Sequence, residues 1–456
     1  MIQIHIQHSD PSVLPEWHPG SWRTRPIVQQ PEYEDPALLE HCVDILRSKP
    51  PLVARGEVDR LRTILAEAVQ GRRFVLHGGD CAERFSDCTS AALTAKLQVL
   101  LQMSLVLTYA TRKPVIRIGR LAGQYAKPRS EPFERSGEIP LPVYRGDLVN
   151  SREPKPEARR ADPRRIVEGY HHAAASLNFI RALIEGGFAD LHHPEQWNLD
   201  FVKNGAYSQS YRGVVDAITD AIAFMETVGV ADAAEQLKRI EFYTSHEALL
   251  LPYEEGLTRR TGQGEFYNLG AHFLWLGYRT CVPEGAHVEY LRGIRNPVGI
   301  KVGPGTKQED LLEILHRLDP RREPGQVTLI TRFGALNVES CLPPLIQTIT
   351  KSGHPVLWSC DPMHANLEYT REGRKTRRLD AIFSELEQTF GLHNRMGTCL
   401  GGVHFELTGE AVTECVGGSG GLTESDLSQC YETACDPRLN GAQALEMAFL
   451  IADLLR

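Results

Sequence analysis

The sequence predicts a (β/α)8 TIM barrel with an N-terminal extension and a long helical insertion between strands two and three. Eight short runs rich in Val, Ile and Leu lie between residues 73 and 407. Parallel strands that are buried on both faces have continuous apolar runs of this kind rather than an alternating pattern. Almost every run ends in a charged, thiol or imidazole side chain, and barrel enzymes carry their catalytic residues where the strands end.

The chain before the first run predicts an extension over residues 1–70, followed by the catalytic barrel over 71–456. Residues 1–35 are rich in Pro and Trp and predict an extended arm laid over a partner or over the barrel. Helices are expected at about 36–48 and 57–70. In the second of these, apolar residues recur at helical spacing: Val58, Leu61, Leu65 and Val69.

The interval from about 130 to 240, between the second and third predicted strands, is far longer than a strand-to-strand crossover requires. It begins with a loop rich in Pro and Arg, and helical patterns then predict an insertion at about 150–236. One such pattern is formed by Val215, Ile218, Ile222 and Met225. Long insertions are usually functional or form contacts between subunits, so this one is expected to do the same.

Charge and hydropathy exclude several classes of protein. The net charge is −8, from 50 basic and 58 acidic residues without a basic block, so nucleic-acid binding is not expected. No apolar run approaches the roughly 18 residues that span a bilayer, so no membrane partner is expected. The N-terminus lacks the pattern of a signal peptide. Ten cysteines in such a chain favour reduced thiols and a cytoplasmic location.

Four metal-ligand candidates lie at or just beyond predicted strand ends: Cys81, His364, Glu406 and Asp436. A thiol, an imidazole and two carboxylates favour Mn, Fe, Co or Zn over Mg or Ca. Each residue alone also has an ordinary explanation, such as a buried Cys, a satisfied core His or an Asp in a turn before Pro. Their common position on one face of the barrel is what predicts a metal site.

Six basic residues near the strand ends predict an anion-binding mouth: Arg120, Lys127, Arg129, Arg279, Lys301 and Arg332. Unpaired charges are costly to bury, so such side chains should face the open end of the barrel. Guanidinium groups bind phosphate and carboxylate in a bidentate manner, and Lys acts as a movable point charge. The set therefore indicates one or two substrates with several negative charges, although any single cation could instead form a structural ion pair.

Several long motifs resemble those of the type II, plant- and actinobacterial-type, 3-deoxy-D-arabino-heptulosonate 7-phosphate (DAHP) synthases. They are GGDCAERF, GRLAGQYAKPRS, YRGDLVN, TSHEALLL, NPVGIKVGP, WSCDPMHAN, GGVHFELTGE with VTECVGG, and YETACDPRLN. The resemblance extends from about residue 30 to the last helix. It implies a transferase that condenses phosphoenolpyruvate with erythrose 4-phosphate, releasing phosphate, in the first step of the shikimate pathway of aromatic amino-acid biosynthesis.

The resemblance also implies roles for individual residues. The family's metal ligands match Cys81, His364, Glu406 and Asp436, usually with Mn or Co, with Zn or Fe as alternatives and no organic cofactor. Its phosphoenolpyruvate contacts match Arg120, Arg279, Lys301 and Arg332. Its aldose-phosphate contacts match Lys127 and Ser130, with Arg279 close to both substrates. Tyr278, next to Arg279, is also expected to bind substrate. The expected catalytic residues are Cys81, Lys127, Lys301, His364 and Glu247, and a carboxylate such as Glu247 could orient the attacking water.

Type II synthases of similar layout use an inserted helix pair and the N-terminal segment for subunit contacts and feedback sites. This implies a homodimer or homotetramer whose activity responds to Trp, Phe or Tyr, with a chorismate mutase as a candidate partner. The alternative is that the inserted helices only pack subunits together and bind no effector.

The chain departs from the family pattern near the aldehyde side of the site. Where the family commonly has Gly-Glu-Arg-Thr-Arg, this chain has Tyr278 and Cys281 in place of the Glu and the second Arg. Ala365 and Leu367 replace Gly and Thr, and Asn337 stands where a basic residue is expected. Two alternatives follow: a paralogue in a secondary-metabolite pathway with a changed aldose acceptor, and a weakly active regulatory paralogue.

Overall fold

The computed structural model describes residues 16–136, 139–188, 207–227 and 240–455. Within this part of the chain, eight parallel strands close into a barrel. In order around the barrel, they are β1 (Phe74–Gly79), β2 (Val115–Arg120), β5 (Phe242–Glu247), β8 (Phe273–Leu276), β9 (Val298–Val302), β10 (Val327–Thr331), β11 (Leu357–Cys360) and β14 (Leu400–Glu406). Each arises from one of the eight apolar runs, so the predicted barrel is confirmed.

Helices surround the barrel and bury apolar stripes. The helix Gln308–Leu318, for example, buries Leu311, Ile314, Leu315 and Leu318. The α-helices of the described residues are α1 (Pro36–Ser48), α2 (Arg55–Val69), α3 (Ser90–Thr111), α4 (Arg164–Glu185), α5 (Ser208–Thr227), α6 (Leu251–Leu257), α7 (Ala286–Leu291), α8 (Gln308–Leu318), α9 (Val338–Ser352), α10 (Leu379–Arg395) and α11 (Gly441–Leu454). The helices expected at about 36–48 and 57–70 are thus present as α1 and α2.

The strand register places two predicted site residues, Arg120 and Glu406, at the level of Gly79. β1 pairs with β2 up to Gly79 and Arg120, and with β14 up to Gly79 and Glu406. Gly79 has a φ of 143°, and a Cβ there would lie 2.7 Å from the carbonyl oxygen of Arg120. Only glycine permits this backbone conformation and this close approach, so β1 can end directly between Arg120 and Glu406.

Among the described residues, three antiparallel two-stranded sheets lie outside the barrel sheet. They are β3–β4 (Phe133–Ser136 and Ile139–Pro142), β6–β7 (Thr258–Arg260 and Phe266–Asn268) and β12–β13 (Leu367–Tyr369 and Lys375–Arg377). The first and the last flank the carboxyl ends of the barrel strands, where Phe133 and Tyr369 border the same cavity. These hairpins therefore extend the walls of the barrel mouth.

Helix α2 closes the amino end of the barrel. Its buried residues Leu61, Ile64, Leu65 and Ala68 form one apolar cluster with side chains of the barrel strands, which include Val75, Ile116, Phe273, Ile330 and Leu357. The extension and the barrel thus share a core, and the division at residue 70 remains a prediction.

The described part of the N-terminal arm lies on its own barrel. The indole Nε1 of Trp17 donates to the carbonyl oxygen of Glu289 at 2.9 Å. The indole of Trp22 is buried and donates to the carboxylate of Glu255 at 2.9 Å. Of the two positions expected for the arm, residues 16–30 adopt the one over the barrel. Residues 1–15 lie outside the described part of the chain.

Between β2 and β5 the chain forms the β3–β4 hairpin and helices α4 and α5. The helical pattern that begins at Val215 falls within α5. Residues 189–206 and 228–239 of the predicted insertion lie outside the described residues. The bounds of about 150–236 therefore remain a prediction.

Helix α3 corrects one expectation from the sequence. It has 22 residues and, among the described helices, is the one that is long and apolar enough to cross a membrane. The expectation that no apolar stretch approaches this length was wrong. Most of α3 is buried because it packs between the barrel strands and α11, so its apolar residues belong to the protein core.

Candidate active site

Three of the four predicted metal ligands converge at the carboxyl end of the barrel. Cys81 follows β1, Glu406 ends β14, and Asp436 lies in the segment that leads to α11. Their ligand atoms all lie within 4.8 Å of one another. Cys81 and Glu406 are buried and Asp436 is partly buried. A thiol and two carboxylates at this spacing can hold a divalent transition-metal ion.

His364 lies beside these three residues. Its Nε2 is 3.0 Å from Oε1 of Glu406, and its Nδ1 is 2.7 Å from Oδ2 of Asp361. Asp361 is fully buried and also accepts a hydrogen bond from the Lys301 ammonium. Asp361 therefore fixes the ring of His364 in the way that carboxylates commonly orient metal-binding histidines.

The ammonium of Lys127 lies among the three converging ligands. Its Nζ donates to the thiol of Cys81, to Oδ2 of Asp436 at 2.7 Å and to Oε1 of Glu406 at 3.3 Å. Burial alone would lower the pKa of Lys127, but Asp436, Cys81 and Glu406 raise it well above its usual value. The donor set is thus electrostatically suited to a positive charge, and this observation supports its fit to a metal cation.

Arginine side chains hold the carboxylate of Glu406 from the other side. Arg120 Nη2 donates to Oε1 at 3.0 Å and Arg377 Nη2 donates to Oε2 at 2.7 Å. Burial would raise the pKa of Glu406, but His364, Lys127, Arg377 and Arg120 lower it well below its usual value. Glu406 is therefore an anionic ligand over the whole physiological pH range.

A cavity of about 510 Å³ opens above these residues. All the cations and the serine that were predicted to bind substrate border this cavity, namely Arg120, Lys127, Arg129, Ser130, Arg279, Lys301 and Arg332. Glu247, Tyr278 and His364 border it as well. Cys81 and Glu406 lie beneath it, and Asp436 reaches its wall. The predicted site residues thus form one continuous site.

The cations differ in whether a carboxylate neutralises them. Arg120 and Lys127 pair with Glu406. Among the described residues, no carboxylate forms an ion pair with Arg279 or Arg332. Arg279 instead donates to Oγ of Ser130 at 2.7 Å, linking the loops that follow β8 and β2. Lys301 pairs with Asp361 and Arg129 with Glu134, so the ordinary ion-pair explanation applies to four of the six predicted cations. Within the described chain, Arg279 and Arg332 are the two that remain available to an anion.

Arg332 and Tyr278 form a stacked pair at the wall of the cavity. The guanidinium carbon of Arg332 lies 4.9 Å from the centre of the Tyr278 ring, and Nη2 of Arg332 donates to the carbonyl oxygen of His364 at 2.9 Å. The backbone N–H of Gly305 donates to the Tyr278 hydroxyl at 2.9 Å. Tyr278 thus braces Arg332 through its ring rather than through a negative charge.

Two titrating groups face the cavity with shifted pKa values. Burial lowers the pKa of Lys301 to about 8, with Asp361 acting in the opposite direction and Arg120 adding to the decrease. Burial raises the pKa of Glu247 to about 6, although the surrounding cations oppose this change. The Glu247 Oε1 atom is buried and has no hydrogen-bond partner among the described residues. Such an orphaned acceptor in a cavity wall is suited to a bound water or substrate hydroxyl.

Residues that the sequence analysis missed complete the site. Asp361 directly follows β11, so the strand-end rule could have found it. Lys375 donates to Oδ1 of Asp436 at 3.0 Å, and Arg377 binds Glu406. Both belong to the β12–β13 hairpin, which follows no barrel strand directly, so the sequence carried no signal for them.

The departures from the family pattern divide into two groups. Tyr278 and Leu367 border the cavity. Cys281 and Asn337 are absent from the described lining, and Asn337 directs its side-chain amide to the carbonyl oxygen of Phe333 at 3.2 Å. Ala365 is likewise outside that lining. Tyr278 and Leu367 are therefore the substitutions that can contact a substrate directly.

Comparison with known proteins shows similarity to DAHP synthases over almost the whole chain. The Class-II DAHP synthetase family matches residues 17–452. A phospho-2-dehydro-3-deoxyheptonate aldolase of Neurospora crassa is 50% identical over 459 residues, covering 97% of this chain and 95% of its own. Relatives with that enzyme name in Streptomyces coelicolor and Mycolicibacterium smegmatis are 47% and 44% identical, covering 96% and 95% of this chain and 97% and 93% of their own. The chain therefore belongs to the Class-II DAHP synthetase family and is a transferase with DAHP synthase activity.

Proposed function

We propose that this chain catalyses the metal-dependent condensation of phosphoenolpyruvate with erythrose 4-phosphate, giving DAHP and phosphate in the first step of the shikimate pathway. The observation that carries the proposal is the thiol and carboxylate set of Cys81, Glu406 and Asp436 beneath a cavity bordered by cations. Two phosphates and a carboxylate repel one another, and a fixed set of cations offsets that repulsion. Positioning and preorganised charge should then supply much of the rate.

The metal would be held by Cys81, Glu406, Asp436 and His364, with Mn or Co as the first expectation and Zn or Fe as alternatives. When bound, such an ion supplies Lewis-acid polarisation of the aldehyde oxygen. The ammonium of Lys127 would then leave the ligand set and bind the aldose phosphate, because its Nζ now contacts the same three donor atoms that would face the metal ion. Ser130 and Arg279, which are already hydrogen-bonded to each other, would hold the same phosphate.

Phosphoenolpyruvate would be bound by Arg120, Lys301, Arg332 and Arg279. Carbon 3 attacks the aldehyde carbon, water adds at carbon 2, and phosphate leaves by cleavage of its bond to carbon 2. Glu247 orients that water, since its carboxylate has a free buried acceptor and a pKa of about 6. At neutral pH it is therefore ionised enough to accept the proton of the water.

The direct test is phosphate release from phosphoenolpyruvate and erythrose 4-phosphate with Mn²⁺, compared with the same mixture containing a chelator. We expect release that depends on both substrates and stops with the chelator. Release that persists in excess chelator would exclude the metal from the reaction. No release with any of Mn, Co, Zn or Fe would favour the weakly active regulatory paralogue.

A changed aldose acceptor is the second candidate, and Tyr278 carries it. Where the family commonly has a Glu, this chain has Tyr278, whose ring stacks on Arg332, so a negative charge is missing from the cavity wall. Leu367, in place of a Thr, makes the same wall less polar. A panel of four- and five-carbon aldose phosphates, one of them amino-substituted, would test this. Erythrose 4-phosphate should give the highest kcat/KM, and a preference for another acceptor would assign the chain to a secondary-metabolite pathway.

We further propose a cytoplasmic homodimer or homotetramer that responds to Trp, Phe or Tyr. The support is that α4 and α5 add helices that a barrel does not need for catalysis. Coupling between effector and active site of about 1–3 kcal/mol would give partial inhibition. Titrating the three amino acids to millimolar concentration, with and without residues 1–35, tests this. Unchanged rates in the intact protein would leave only the packing role, and co-purification would test a chorismate mutase partner.

A further inference from the structure

Four polar side chains form a hydrogen-bonded chain inside the barrel, directly beneath the cavity. Arg120 Nη1 lies 2.6 Å from His404 Nε2, and His404 Nδ1 lies 3.0 Å from His77 Nδ1. His77 Nε2 lies 2.7 Å from Oγ of Ser245, and that hydroxyl donates to the carbonyl oxygen of Gly119 at 3.0 Å. None of the four side-chain residues is more than 2% exposed.

The two ends of the chain fix the direction of every bond. A guanidinium group can only donate, so His404 Nε2 must accept from Arg120. His404 then carries its proton on Nδ1 and donates it to Nδ1 of His77. His77 in turn carries its proton on Nε2 and donates it to Ser245, whose own proton goes to the carbonyl oxygen of Gly119. Both rings are therefore neutral, and they adopt opposite tautomers.

The chain returns to the strand on which it begins. Gly119 and Arg120 are consecutive residues of β2, while His77, Ser245 and His404 belong to β1, β5 and β14. The orientation of one guanidinium group is thus tied to the register of four barrel strands. Because the last acceptor is a backbone carbonyl oxygen, this path ends inside the barrel, which is the design of an orienting network and not of a proton relay.

The other contacts of Arg120 leave few hydrogens free for a ligand. Its Nε donates to the carbonyl oxygen of Asp80 at 2.9 Å, and its Nη2 donates to Glu406 and to the carbonyl oxygen of Cys81. The ring of Trp275 lies 5.2 Å from the guanidinium carbon. If His404 did not accept from Nη1, a buried donor would be left unsatisfied, and the guanidinium would turn to find another acceptor.

We propose that His404, His77 and Ser245 are positioning residues that fix the orientation of Arg120 for binding phosphoenolpyruvate. The inference rests on the proposed function for the identity of the ligand. The bond directions stand on geometry alone. Each bond in the chain polarises the next, so a change at Ser245 should reach Arg120 through both rings.

The first test is the tautomers of the intact protein. Histidine labelled with ¹⁵N should show a scalar coupling between two ring nitrogens across the N–H···N bond, which identifies this pair without any substitution. We expect one ring protonated only on Nδ1 and its partner only on Nε2. An imidazolium in either ring, or the same tautomer in both, would overturn the assignment. This measurement needs no substrate, so it is independent of whether the condensation assay succeeds.

The second test uses two buried serines of the barrel. Ser245→Ala removes the acceptor of His77, and Ser359→Ala is the matched control because its buried Oγ has no hydrogen-bond partner among the described residues. In the Mn²⁺-loaded protein, Ser245→Ala should weaken calorimetric binding of phosphoenolpyruvate about three- to tenfold. Ser245→Thr retains the hydroxyl and should restore binding to within about twofold. Equal affinities in Ser245→Ala and Ser359→Ala would refute the positioning role.

Discussion

The two ends of the barrel interior use the same eight strands but different chemistry. At the amino end, α2 places Leu61, Ile64, Leu65 and Ala68 on an apolar layer, all of them almost fully buried. At the carboxyl end, Glu406, Arg120 and Lys301 are just as deeply buried but are charged. A single strand shows the change, since β14 begins with the apolar Leu400 and ends with the charged Glu406. Burial therefore stabilises the first end, whereas at the second it is tolerated because each charge has a partner.

This comparison indicates that the residues that stabilise the fold and the residues that carry out the reaction lie towards opposite ends of the barrel strands. Between the two ends lies the layer of His77, Ser245 and His404, which is polar, neutral and fully hydrogen-bonded. A substitution at the amino end should therefore alter stability with little effect on turnover. Removal of a side chain that binds metal or substrate at the carboxyl end should lower turnover far more than a substitution at the amino end does.

The largest expected effect is at the metal set. Cys81→Ala should lower the rate of phosphate release by more than about a hundredfold, because even the outer-shell partners of metal ligands contribute about ten- to a hundredfold. His364→Ala should behave in the same way, and both proteins should remain folded by circular dichroism. Cys399→Ala, which removes an exposed thiol, is the control. Near-normal rate and metal content in Cys81→Ala would remove Cys81 from the site.

The second comparison removes apolar packing at the opposite end. Leu65→Ala should lower the free energy of unfolding by about 2–5 kcal/mol, as a fully buried leucine does when a cavity is left behind. Urea denaturation measures this loss, and kcat at low temperature should remain within about threefold of the parent value. Leu336→Ala is the matched control, because that side chain is 97% exposed. A large loss of kcat without a loss of stability would contradict the separation of the two ends.

A third comparison divides the cavity itself. Arg332→Ala or Lys301→Ala should raise KM for phosphoenolpyruvate and lower kcat together, with a combined effect of about ten- to a hundredfold, as for charged hydrogen bonds. Lys127→Ala should act mainly on KM for erythrose 4-phosphate. Steady-state kinetics with each substrate varied in turn separates the two effects. If Lys127→Ala changed only the phosphoenolpyruvate constant, the two subsites would be reversed.

The smallest expected effect is a dependence on pH. The pKa of Lys301 is about 8, below that of an ordinary lysine, so its ammonium is present below pH 8 and is lost above it. Then kcat/KM for phosphoenolpyruvate should fall by a few fold between about pH 8 and 9. Lys301→Arg keeps the charge at these pH values and should move the decrease to higher pH. An unchanged profile in that variant would assign the decrease to another group.

The sequence by itself determined the barrel and most of its chemistry. Short continuous apolar runs rich in Val, Ile and Leu favour strands that are buried on both faces. Residues at the ends of such strands share one face because parallel strands run in the same direction. That rule brought together Cys81, Glu406, Lys301 and Arg332, and it would also have found Asp361. Helical spacing likewise identified α2.

Only the tertiary structure decided which of these residues touch. Lys375 and Arg377 reach Asp436 and Glu406 from a hairpin whose position no local pattern specifies. His77, Ser245 and His404 lie within strand sequences, where polar residues carry no sign of their partners. Their bonds depend on strand register and on the direction in which each side chain points into the closed barrel. Those are properties of the assembled sheet, whereas the periodicity that predicts a strand is a property of the chain.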